Sequence, residues 1–431
     1  MSMSKKNLGV ELLGAVIKAA WFSVLLFPFT VMKVSVAAGV ASVRFRWELL
    51  PVVAVASLVL SFLWSRALEW NENRSSRGSG TGLLASIRER ALPLVRNGKY
   101  RTVATLALLA FVVVYPHAFG MYHTNIMITA LIYVILALGL NIVVGLGGLL
   151  NLGYAAFFAV GAYTYGLLWK YAGPAFAEAG IQAGWLFWIA LPLAGILAAL
   201  FGALLSLPVL RLRGDYLAII TLAFGEILRM VLQNSGEATG GASGISLIPR
   251  PWFFGIRLKP TGAAVYIYYI TLALVIATIV VVRRIEDSRV GRALEAMKED
   301  EIACEAMGID MARNKLTTFS LGAFFAGIAG VLLAAQTTFI NPDSFTLWES
   351  IMVLMAVVIG GTGSIPGAIA GALLLKLLPE YFRALAQYRM LIYGVAMIVV
   401  IIFKPEGLFP RNRKKYTFSA AKSAADTKEA R

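Results

Sequence analysis

The sequence predicts an all-α fold, a polytopic transmembrane helical bundle with about 10 core membrane segments and about 1–2 more at the N-terminus. Of its 431 residues, 59% are hydrophobic and only 14% are charged, a balance unlike that of soluble globular domains. Several stretches run for about 20 residues almost without charge, the length that a helix needs to cross roughly 30 Å of hydrocarbon. The lysines and arginines, which give a net charge of +16, lie between and beyond these stretches.

The N-terminal region is predicted to precede the main bundle. An extension over 1–64 holds two apolar segments, Gly9–Met32 and Trp47–Trp64, and is expected to associate with the membrane. Further apolar segments follow in place of a small-residue cleavage site, so we expect the N-terminus to be retained. Residues 65–101 contain NENRSSRGSGTG and eight basic residues, which predicts a basic cytoplasmic linker.

The predicted core of the bundle runs over 102–404. Its ten apolar segments lie near 102–120, 125–147, 150–171, 185–210, 216–233, 262–282, 317–337, 347–360, 366–380 and 388–404. If the linker is cytoplasmic and each segment crosses once, the basic loops 211–215 and 283–316 and the basic tail 405–431 all fall in the cytoplasm. The sides that the loops take when each segment crosses once therefore agree with the positions of the basic residues across the core, which supports the segment count.

Composition and motifs argue against several kinds of site. The single cysteine, Cys304, excludes an internal disulfide, and the two histidines, His117 and His123, are too few for a histidine-rich metal site. No phosphate-binding G-x-x-x-x-G-K-[ST] motif occurs, and no H-E-x-x-H or G-x-S-x-G motif lies in a plausible site. The basic residues follow the topology and form no aromatic-basic platform. We therefore expect no catalytic residue, metal, bound cofactor or nucleic-acid partner.

Small residues mark where helices approach one another or break. They recur every four positions in two regions, a spacing that favours close helix packing. These residues are Gly322, Ala326 and Gly330, and Gly363, Gly367 and Gly371. Glycines also crowd GLGGLLNLGY (145–154) and GGTGSIPGAIAG (360–371), which are either ordinary turns or broken helices lining a wet cavity. The candidate pathway-lining residues are Asn151, Gly153, Gly360, Gly361 and Gly363.

One apolar segment, DYLAIITLAFGEILRMVLQ, carries two opposite charges. Glu226 and Arg229 lie three positions apart, on one face of a helix, where they can partly neutralise each other. Ionisable residues inside a membrane usually face a bundle interior or a cavity. We predict an intramembrane ion pair, with a proton-coupling role for Glu226 as the alternative.

The loop 283–316 has a middle that is rich in helix formers. Its segment VGRALEAMKEDEIACEAMGI (Val290–Ile309) has no proline and has glycine only near its ends, which predicts one helix outside the bilayer. Charged positions such as Lys298 and Glu305 interrupt its apolar ones, a mixed surface suited to docking a soluble partner. The pattern alone fits a solvated connector equally well.

The sequence resembles branched-chain amino acid ABC transporter permeases of the LivM type. The likeness covers about Asn125–Lys404, in separate blocks that follow the family's order. The blocks are NLGYAAFFAVGAYTYGLL, RLRGDYLAIITLAFGEILRMVLQNSGEATGGASGI, DSRVGRALEAMKEDEIACEAMGIDMARNKLTTFSLGAFFAGIAGVLL and ESIMVLMAVVIGGTGSIPGAIAGALLL. The N-terminal region looks like the extension of the family's longer members.

The resemblance implies a bacterial uptake system in which this multi-pass chain of the inner membrane forms the translocation pathway with a second permease of related type. Two cytoplasmic ATP-binding subunits would bind the ATP, and a periplasmic binding protein would deliver leucine, isoleucine or valine. The chain itself would hold no cofactor. Nucleotide-driven movement of a coupling helix would open the bundle to one side at a time. Some relatives carry urea or other amides and amino acids, which leaves the substrate open.

The resemblance also places the helix around Val290–Ile309 in a groove of an ATP-binding subunit. Glu305, Ala306 and Gly308 fit the glutamate-alanine-glycine pattern of the family's coupling loop. The predicted ATPase-coupling residues are Gly291, Arg292, Ala293, Glu301, Glu305, Ala306 and Gly308.

Three other classes of function compete with this interpretation. An ion-coupled secondary transporter needs buried ionisable residues, and Glu226 is the only obvious candidate in the core segments. A membrane enzyme lacks a recognisable catalytic arrangement. A purely structural membrane subunit is the third, and loss of transport after changes near 360–371 would argue against it. Uptake by the purified chain without any ATPase would favour the secondary transporter.

Overall fold

The computed structural model describes most of the predicted core and a small part of the N-terminal region. The described residues are 32–37, 40–45, 112–178, 184–210, 212, 214–252, 260–381, 393–395, 397–398, 400, 402, 404 and 407–409. The chain divides into two compact units, Met1–Leu106 and Ala107–Arg431. The predicted linker, most of the basic tail and nearly all of both N-terminal apolar segments lie outside the described residues, so the predicted domain boundaries stay predictions.

The first unit contains a β-hairpin between the two predicted N-terminal apolar segments. Strand β1 (Met32–Ala37) pairs antiparallel with β2 (Val40–Phe45), with Met32 opposite Phe45 and Ala37 opposite Val40. Valine recurs in both strands, and β-branched residues favour extended backbone. An all-α prediction does not account for this hairpin.

The second unit is helical. Its helices are α1 (Met121–Leu140), α2 (Tyr154–Glu178), α3 (Trp185–Val209), α4 (Asp215–Asn234), α5 (Gly236–Thr239), α6 (Pro260–Glu286), α7 (Arg289–Glu299), α8 (Glu301–Ala306), α9 (Met311–Thr337), α10 (Leu347–Gly360) and α11 (Ile365–Tyr381). A π-helical segment, Asn141–Leu146, continues α1 directly. Residues 112–118 are also helical. The eight longest helices, α1 to α4, α6 and α9 to α11, coincide with predicted core segments.

Several of these helices have the properties of membrane spans. By length and composition alone, five candidate spans occur among the described residues. They are Met121–Leu146, Trp185–Val209, Thr261–Glu286, Met311–Thr337 and Pro342–Gly360. Helix α3 buries one face and exposes large apolar side chains such as Leu200, Leu204 and Leu207 on the other. Such a face suits lipid contact.

Helix α9 lies at the centre of the bundle and packs through small residues against three neighbours. A Cβ atom built on Gly327 would lie 2.7 Å from Ala198 Cβ of α3. The residues of the predicted small-residue row contact different neighbours. Gly322 faces Val143, which follows α1, whereas Gly330 faces Ala162 of α2. Close backbone approach of this kind is how helices pack in lipid, where no hydrophobic force drives them together.

Helices α10 and α11 form a second glycine-mediated pair. A Cβ atom on Gly367 would lie 2.6 Å from the Gly360 carbonyl oxygen, and one on Gly371 would lie 3.1 Å from Gly360 N. Gly363 was predicted in the same helical row, but α11 begins only at Ile365 and Gly363 lies in the turn before it, with φ 80°. The turn explains the difference, because positive φ disfavours residues other than glycine.

A two-stranded ladder joins two loops at one end of the bundle. Strand β3 (Ile245–Ser246) pairs antiparallel with β4 (Phe339–Ile340), and the 3-10 helices Gly241–Ser243 and Pro342–Ser344 flank it. The described residues are therefore mostly helical, and this ladder and the β1–β2 hairpin are short additions that the all-α prediction does not include. Pairings of two residues leave no periodicity in the sequence.

Candidate functional site

The connection between α6 and α9 contains two helices, so the predicted single helix over Val290–Ile309 is wrong. Asp300 separates α7 from α8 in an extended conformation, with φ −156° and ψ 111°. Its side chain accepts hydrogen bonds from the backbone N–H groups of Ile302 (2.8 Å) and Ala303 (3.0 Å). An aspartate in this role starts a helix. The cap therefore overrides the helix propensity of the surrounding residues.

Helix α7 turns its apolar face towards the bundle. Ser288 caps its start and accepts a hydrogen bond from Gly291 N–H at 3.2 Å. Gly291 is buried, and a Cβ atom there would lie 2.6 Å from the Glu286 carbonyl oxygen. Leu294 and Met297 are also buried. Of the three coupling residues predicted on α7, Gly291 thus serves close packing.

The other two predicted coupling residues of α7 are nearer to solvent. Arg292 is exposed, and its Nη1 donates a hydrogen bond to the Asp287 carbonyl oxygen at 3.0 Å. Ala293 is half-buried. Arg292 is therefore the side chain of this trio that is most accessible to a partner.

Helix α8 presents most of its surface outwards. Cys304 is buried, while Glu305 and Ala306 are exposed. Ile302 is 66% exposed and Met307, directly after the helix, is 82% exposed. Large apolar side chains of this exposure, interspersed with polar ones, mark a contact surface. We call these residues, Ile302 to Met307, the α8 surface.

A buried ion pair joins α8 to α9. Lys315 Nζ lies 3.1 Å from Glu301 Oε1, and the Lys315 side chain is only 3% exposed. The same ammonium lies 3.5 Å from the Leu212 carbonyl oxygen, in the loop between α3 and α4. Glu301, a predicted coupling residue, therefore contacts the central helix. The sequence-based prediction did not identify Lys315.

Gly308 ends α8 and redirects the chain towards α9. Its φ of 79° is left-handed, and its N–H bonds to the Glu305 carbonyl at 3.0 Å. The Ile309 N–H bonds to the Cys304 carbonyl at 3.0 Å. These two bonds form a Schellman motif, in which glycine takes the left-handed position. The glycine of the coupling pattern thus has a structural reason.

A cavity of about 500 Å³ lies between α8 and the start of α9. Three of the predicted coupling residues line it: Glu301, Glu305 and Gly308. Asp310, which caps α9 by accepting a hydrogen bond from Arg313 N–H at 3.0 Å, forms another part of the wall. The α8 surface therefore adjoins a concave, mainly polar recess.

Helix α7 is tied to the π-helical segment that follows α1. Lys298 Nζ donates a hydrogen bond to the Gly145 carbonyl oxygen at 3.0 Å. A Cβ atom on Gly148 would lie 2.8 Å from Lys298 Cγ, so the glycine lets the lysine stem pack closely. Gly145 lies at the end of the segment, where the last carbonyl oxygens of a helix lack partners within it, and π-segments often occur at functional sites.

The two glycine-rich stretches predicted from the sequence meet at this same end of the bundle. Asn141 Oδ1 accepts a hydrogen bond from Gly363 N–H at 2.8 Å, and both groups are buried. A Cβ atom on Gly145 would lie 2.5 Å from Gly363 N and 2.8 Å from Gly363 Cα. The break after α1 and the break between α10 and α11 thus contact each other directly, next to Lys298.

The predicted pathway residues near 151–153 pack against α4. Asn151 is buried, and its Oδ1 accepts a hydrogen bond from Gly153 N–H at 3.1 Å. Its Nδ2 has no hydrogen-bond partner among the described residues. Thr221 Oγ1 accepts from Leu152 N–H at 3.1 Å, and a Cβ atom on Gly153 would lie 3.4 Å from Gly225 N.

The pathway residues predicted near 360–363 are also buried. Gly361 has a φ of 124°, and its N–H bonds to the Val357 carbonyl oxygen at 2.9 Å. Gly360 lies in the α10–α11 contact. None of the five predicted pathway residues lines the cavity beside α8, and pathway lining stays a prediction for all of them.

The structure places the two charges of α4 in contact with each other and with a third charge. Arg229 Nε lies 2.9 Å from Glu226 Oε2, as the three-residue spacing predicts. Arg229 Nη1 also lies 3.3 Å from Asp343 Oδ1, in the 3-10 helix before α10. The arginine therefore bridges two carboxylates and links α4 to a neighbouring loop. The sequence-based prediction did not identify Asp343.

These features define the class of protein before any comparison. Long apolar helices packed through glycines make it a multi-pass membrane protein, and the α8 surface gives it a candidate docking element. Among the described residues, no group of three or more histidine, cysteine, aspartate or glutamate side chains has metal-site geometry. The class that the fold and the site define is therefore that of a multi-pass helical membrane protein.

Comparison with known proteins identifies the family. Residues 122–401 match the family described as branched-chain amino acid transport system, permease component, and the chain belongs to this family. It is 42% identical over 341 residues to the high-affinity branched-chain amino acid transport system permease protein LivM of Salmonella typhimurium, covering 74% of this chain and 78% of that protein. No solved structure matches the chain.

Two further relatives place the chain within the family. LivM of Escherichia coli K12 is 44% identical over 328 residues, which is 72% of this chain and 75% of the relative. The permease LivH of the same organism is 28% identical over 290 residues, 65% of this chain and 91% of the relative. The chain is thus a non-catalytic permease subunit, and its resemblance to the LivM type is confirmed.

Proposed function

We propose that this chain is the transmembrane permease subunit of a high-affinity ABC importer for leucine, isoleucine and valine in a bacterial inner membrane. Family membership and the two LivM relatives support the substrate class. The similarity to LivH supports a second permease of related type as the other half of the pathway. Two ATP-binding subunits and a periplasmic binding protein complete the assembly, and ATP binds to the former.

The end of the bundle that carries α7 and α8 is proposed to face the cytoplasm. Arginines at the end of α6, Arg283 and Arg284, and the charged loop beyond them support this orientation through the positive-inside rule. In this topology the core crosses the membrane ten times, with the described helices α1 to α4, α6 and α9 to α11 as eight of the crossings. The remaining two are the segments 102–120 and 388–404.

The observation that carries the proposal is the α8 surface. Ile302 and Met307 are exposed apolar side chains outside the candidate spans, flanked by Glu305. An amphipathic helix with such anchors fits a hydrophobic groove on a soluble partner. We infer that the soluble partner with this groove is an ATP-binding subunit, as the family resemblance implies.

Two partly buried contacts support transmission of movement from this surface into the bundle. The Glu301–Lys315 pair couples α8 to α9, whose glycines contact three other helices. The Lys298 bond to Gly145 couples α7 to the breaks around Asn141 and Gly363. Packed interfaces of this kind switch between discrete arrangements, which is the physical basis of alternating access.

Reconstitution of the whole assembly tests the proposal. The chain, its second permease and the two ATP-binding subunits are placed in liposomes, with the binding protein outside. Uptake of leucine, isoleucine or valine that requires both ATP and the binding protein is the expected result. Uptake by this chain alone under an ion gradient would contradict it. Uptake only of urea or of another amino acid, with its own binding protein, would support the same mechanism with a different substrate.

Replacing Ala306 with tryptophan is expected to uncouple ATP hydrolysis from uptake. The exposed Ala306 lies on the α8 surface, where a bulky ring would prevent close contact with a groove. We expect uptake to fall about tenfold or more, since large interface defects cost about 2 kcal/mol or more. Uptake and ATPase activity are measured in parallel, with Glu305→Trp as a second variant. Unchanged transport in both variants would contradict the proposed docking role of the α8 surface.

Replacing Glu226 with glutamine tests the ion-coupled alternative. If the carboxylate only pairs with Arg229, which Asp343 also neutralises, uptake should change less than about fivefold because partly exposed pairs contribute about 0–1 kcal/mol. A proton-coupling carboxylate would instead be required for uptake. Loss of uptake with normal membrane insertion and normal ATPase activity would therefore favour the coupled transporter.

A further inference from the structure

A cavity lies at the end of the bundle opposite α7 and α8, lined by residues of α1, α9, α10 and α11. Its volume is about 460 Å³. Pockets for small organic ligands usually measure about 300–1,000 Å³. In the proposed orientation this cavity opens towards the periplasm, the side on which the substrate arrives.

One wall of the cavity holds charges of both signs. Lys376 Nζ of α11 lies 3.9 Å from Glu349 Oε2 of α10, which is beyond hydrogen-bond distance. The same ammonium lies 3.5 Å above the centre of the Tyr133 ring, and the Tyr133 hydroxyl donates to the Glu349 carboxylate. Glu380, also on the wall, accepts a hydrogen bond from the Tyr122 hydroxyl at 2.6 Å. These charges are held in place by aromatic side chains.

A neutral acceptor on the wall is fixed by its neighbours. Gln336 Nε2 donates to the Asn125 carbonyl oxygen and to Thr129 Oγ1, both at 2.9 Å. The Asn125 carbonyl can only accept, which fixes the orientation of the amide. Gln336 Oε1 is buried and has no hydrogen-bond donor among the described residues. A buried acceptor without a donor is destabilising unless a ligand or water supplies one.

The rest of the lining is apolar. Trp348, Met352 and Leu375 lie on it, beside the charged wall. A cavity with an ammonium, two carboxylates, a buried acceptor and an apolar side has complementary groups for each part of an apolar amino-acid zwitterion. A fully apolar solute or a simple anion would leave several of these groups unmatched.

We propose that this cavity is a binding site for the zwitterion of the transported amino acid within the permease itself, an inference that rests on the proposed function. Lys376 binds the α-carboxylate. Glu349, Glu380 and Gln336 Oε1 bind the α-ammonium, and Trp348 with Leu375 contacts the aliphatic side chain. Because acceptors outnumber cations, the site favours the ammonium end of the ligand.

Equilibrium binding to the complete membrane complex tests this site. The permease pair with its ATP-binding subunits is placed in lipid nanodiscs without the binding protein, and radiolabelled leucine is titrated. Leucinamide, which lacks the carboxylate, and 4-methylpentanoate, which lacks the ammonium, serve as competitors. We expect leucine to compete best and 4-methylpentanoate worst. Equal competition by all three, or no saturable binding up to the solubility limit of leucine, would overturn the proposal.

Single variants locate the site. Lys376→Met and Gln336→Leu should weaken leucine binding about ten- to hundredfold, because each removes a bond to a charged group of the ligand. Lys170→Met is the matched control, since Lys170 lies on α2 and binds the Glu237 and Ala238 carbonyl oxygens, away from the cavity. Equal weakening in the control, or none in both cavity variants, would overturn the assignment.

A charge exchange separates binding from a structural ion pair. The double variant Glu349→Lys with Lys376→Glu keeps one charge of each sign on α10 and α11. A purely structural pair would keep leucine binding and uptake in this variant, whereas a zwitterion site with a fixed apolar side would lose both. Binding that persists after the exchange would overturn the proposal.

The same preparations distinguish failure of this site from failure of the proposed function. If wild-type complexes show ATP- and binding-protein-dependent leucine uptake while cavity variants behave like the control, only the binding site is wrong. If wild-type complexes show no such uptake, the importer function itself is wrong.

Discussion

Replacing Lys315 with methionine is expected to abolish ATP-driven uptake while leaving ATP hydrolysis by the partner subunits active. Lys315 is almost fully buried and lies 3.1 Å from Glu301 Oε1, in the contact between α8 and α9. Without the ammonium, the Glu301 carboxylate loses its ion pair with Lys315, and α8 loses this polar link to the central helix. We expect uptake to fall more than about tenfold and stability to fall by about 2 kcal/mol, because Glu301 is partly exposed.

A double variant separates the two consequences of this change. In Glu301→Gln with Lys315→Met, both charges of the ion pair are removed together, so the thermal stability should return close to that of the wild type. Uptake should stay low, because the contact that transmits movement is still absent. Uptake and thermal unfolding of the reconstituted complex measure both effects. Recovery of uptake together with stability would mean that the pair only stabilises the fold.

Hydrophobic runs predicted the long helices of the described core but not their ends. The segment predicted at 317–337 is the helix Met311–Thr337, which begins six residues earlier. A segment defined by hydropathy stops where polar residues begin. The hydrogen-bonded helix continues to its cap at Asp310, whose side chain accepts a hydrogen bond from Arg313 N–H. Where no such polar extension exists, as in Trp185–Val209, the predicted and observed ends nearly coincide.

Local residue spacing predicted some contacts of the site, but it could not predict contacts between residues that are far apart in the sequence. Glu226 and Arg229 are three residues apart, so helical geometry alone brings them together. Lys298 and Gly145 are separated by 153 positions, and nothing in either segment indicates the other. The same holds for Lys376, which lies in an apolar segment and forms part of a cavity that only the packing of four helices creates. Glu226 is therefore not the only ionisable residue in the core segments.

The break at Asp300 shows a different reason for a wrong prediction. Helix propensity summed over 290–309 favours one continuous helix. A single aspartate that bonds to two backbone N–H groups stabilises an alternative start by about 1 kcal/mol, which is enough to divide a short helix. The division matters for function, since α7 is turned into the bundle and α8 is turned outwards.

Replacing Gly145 with alanine is expected to block transport at the contact between the two glycine-rich breaks. The added methyl group would lie 2.5 Å from Gly363 N and would disturb the bond from that N–H to Asn141 Oδ1. Backbone cannot move aside as a flexible side chain does, so we expect a stability loss of about 1–3 kcal/mol. Because Lys298 of α7 binds the Gly145 carbonyl oxygen, displacement of Gly145 also changes how α7 packs against the bundle. Uptake should fall at least about tenfold if this contact carries the conformational change.

Gly120→Ala is the matched control for this variant, because a Cβ atom there meets nothing within 4 Å and φ is −63°. Asn141→Leu is the companion, since it removes the hydrogen bond to Gly363 N–H without adding a group at Gly145. If the contact is a hinge, Gly145→Ala and Asn141→Leu both lose uptake at ATPase rates near that of the control. If Gly145→Ala transports as Gly120→Ala does, the two breaks are ordinary turns, and the movement that opens the bundle must arise at the α9 glycines instead.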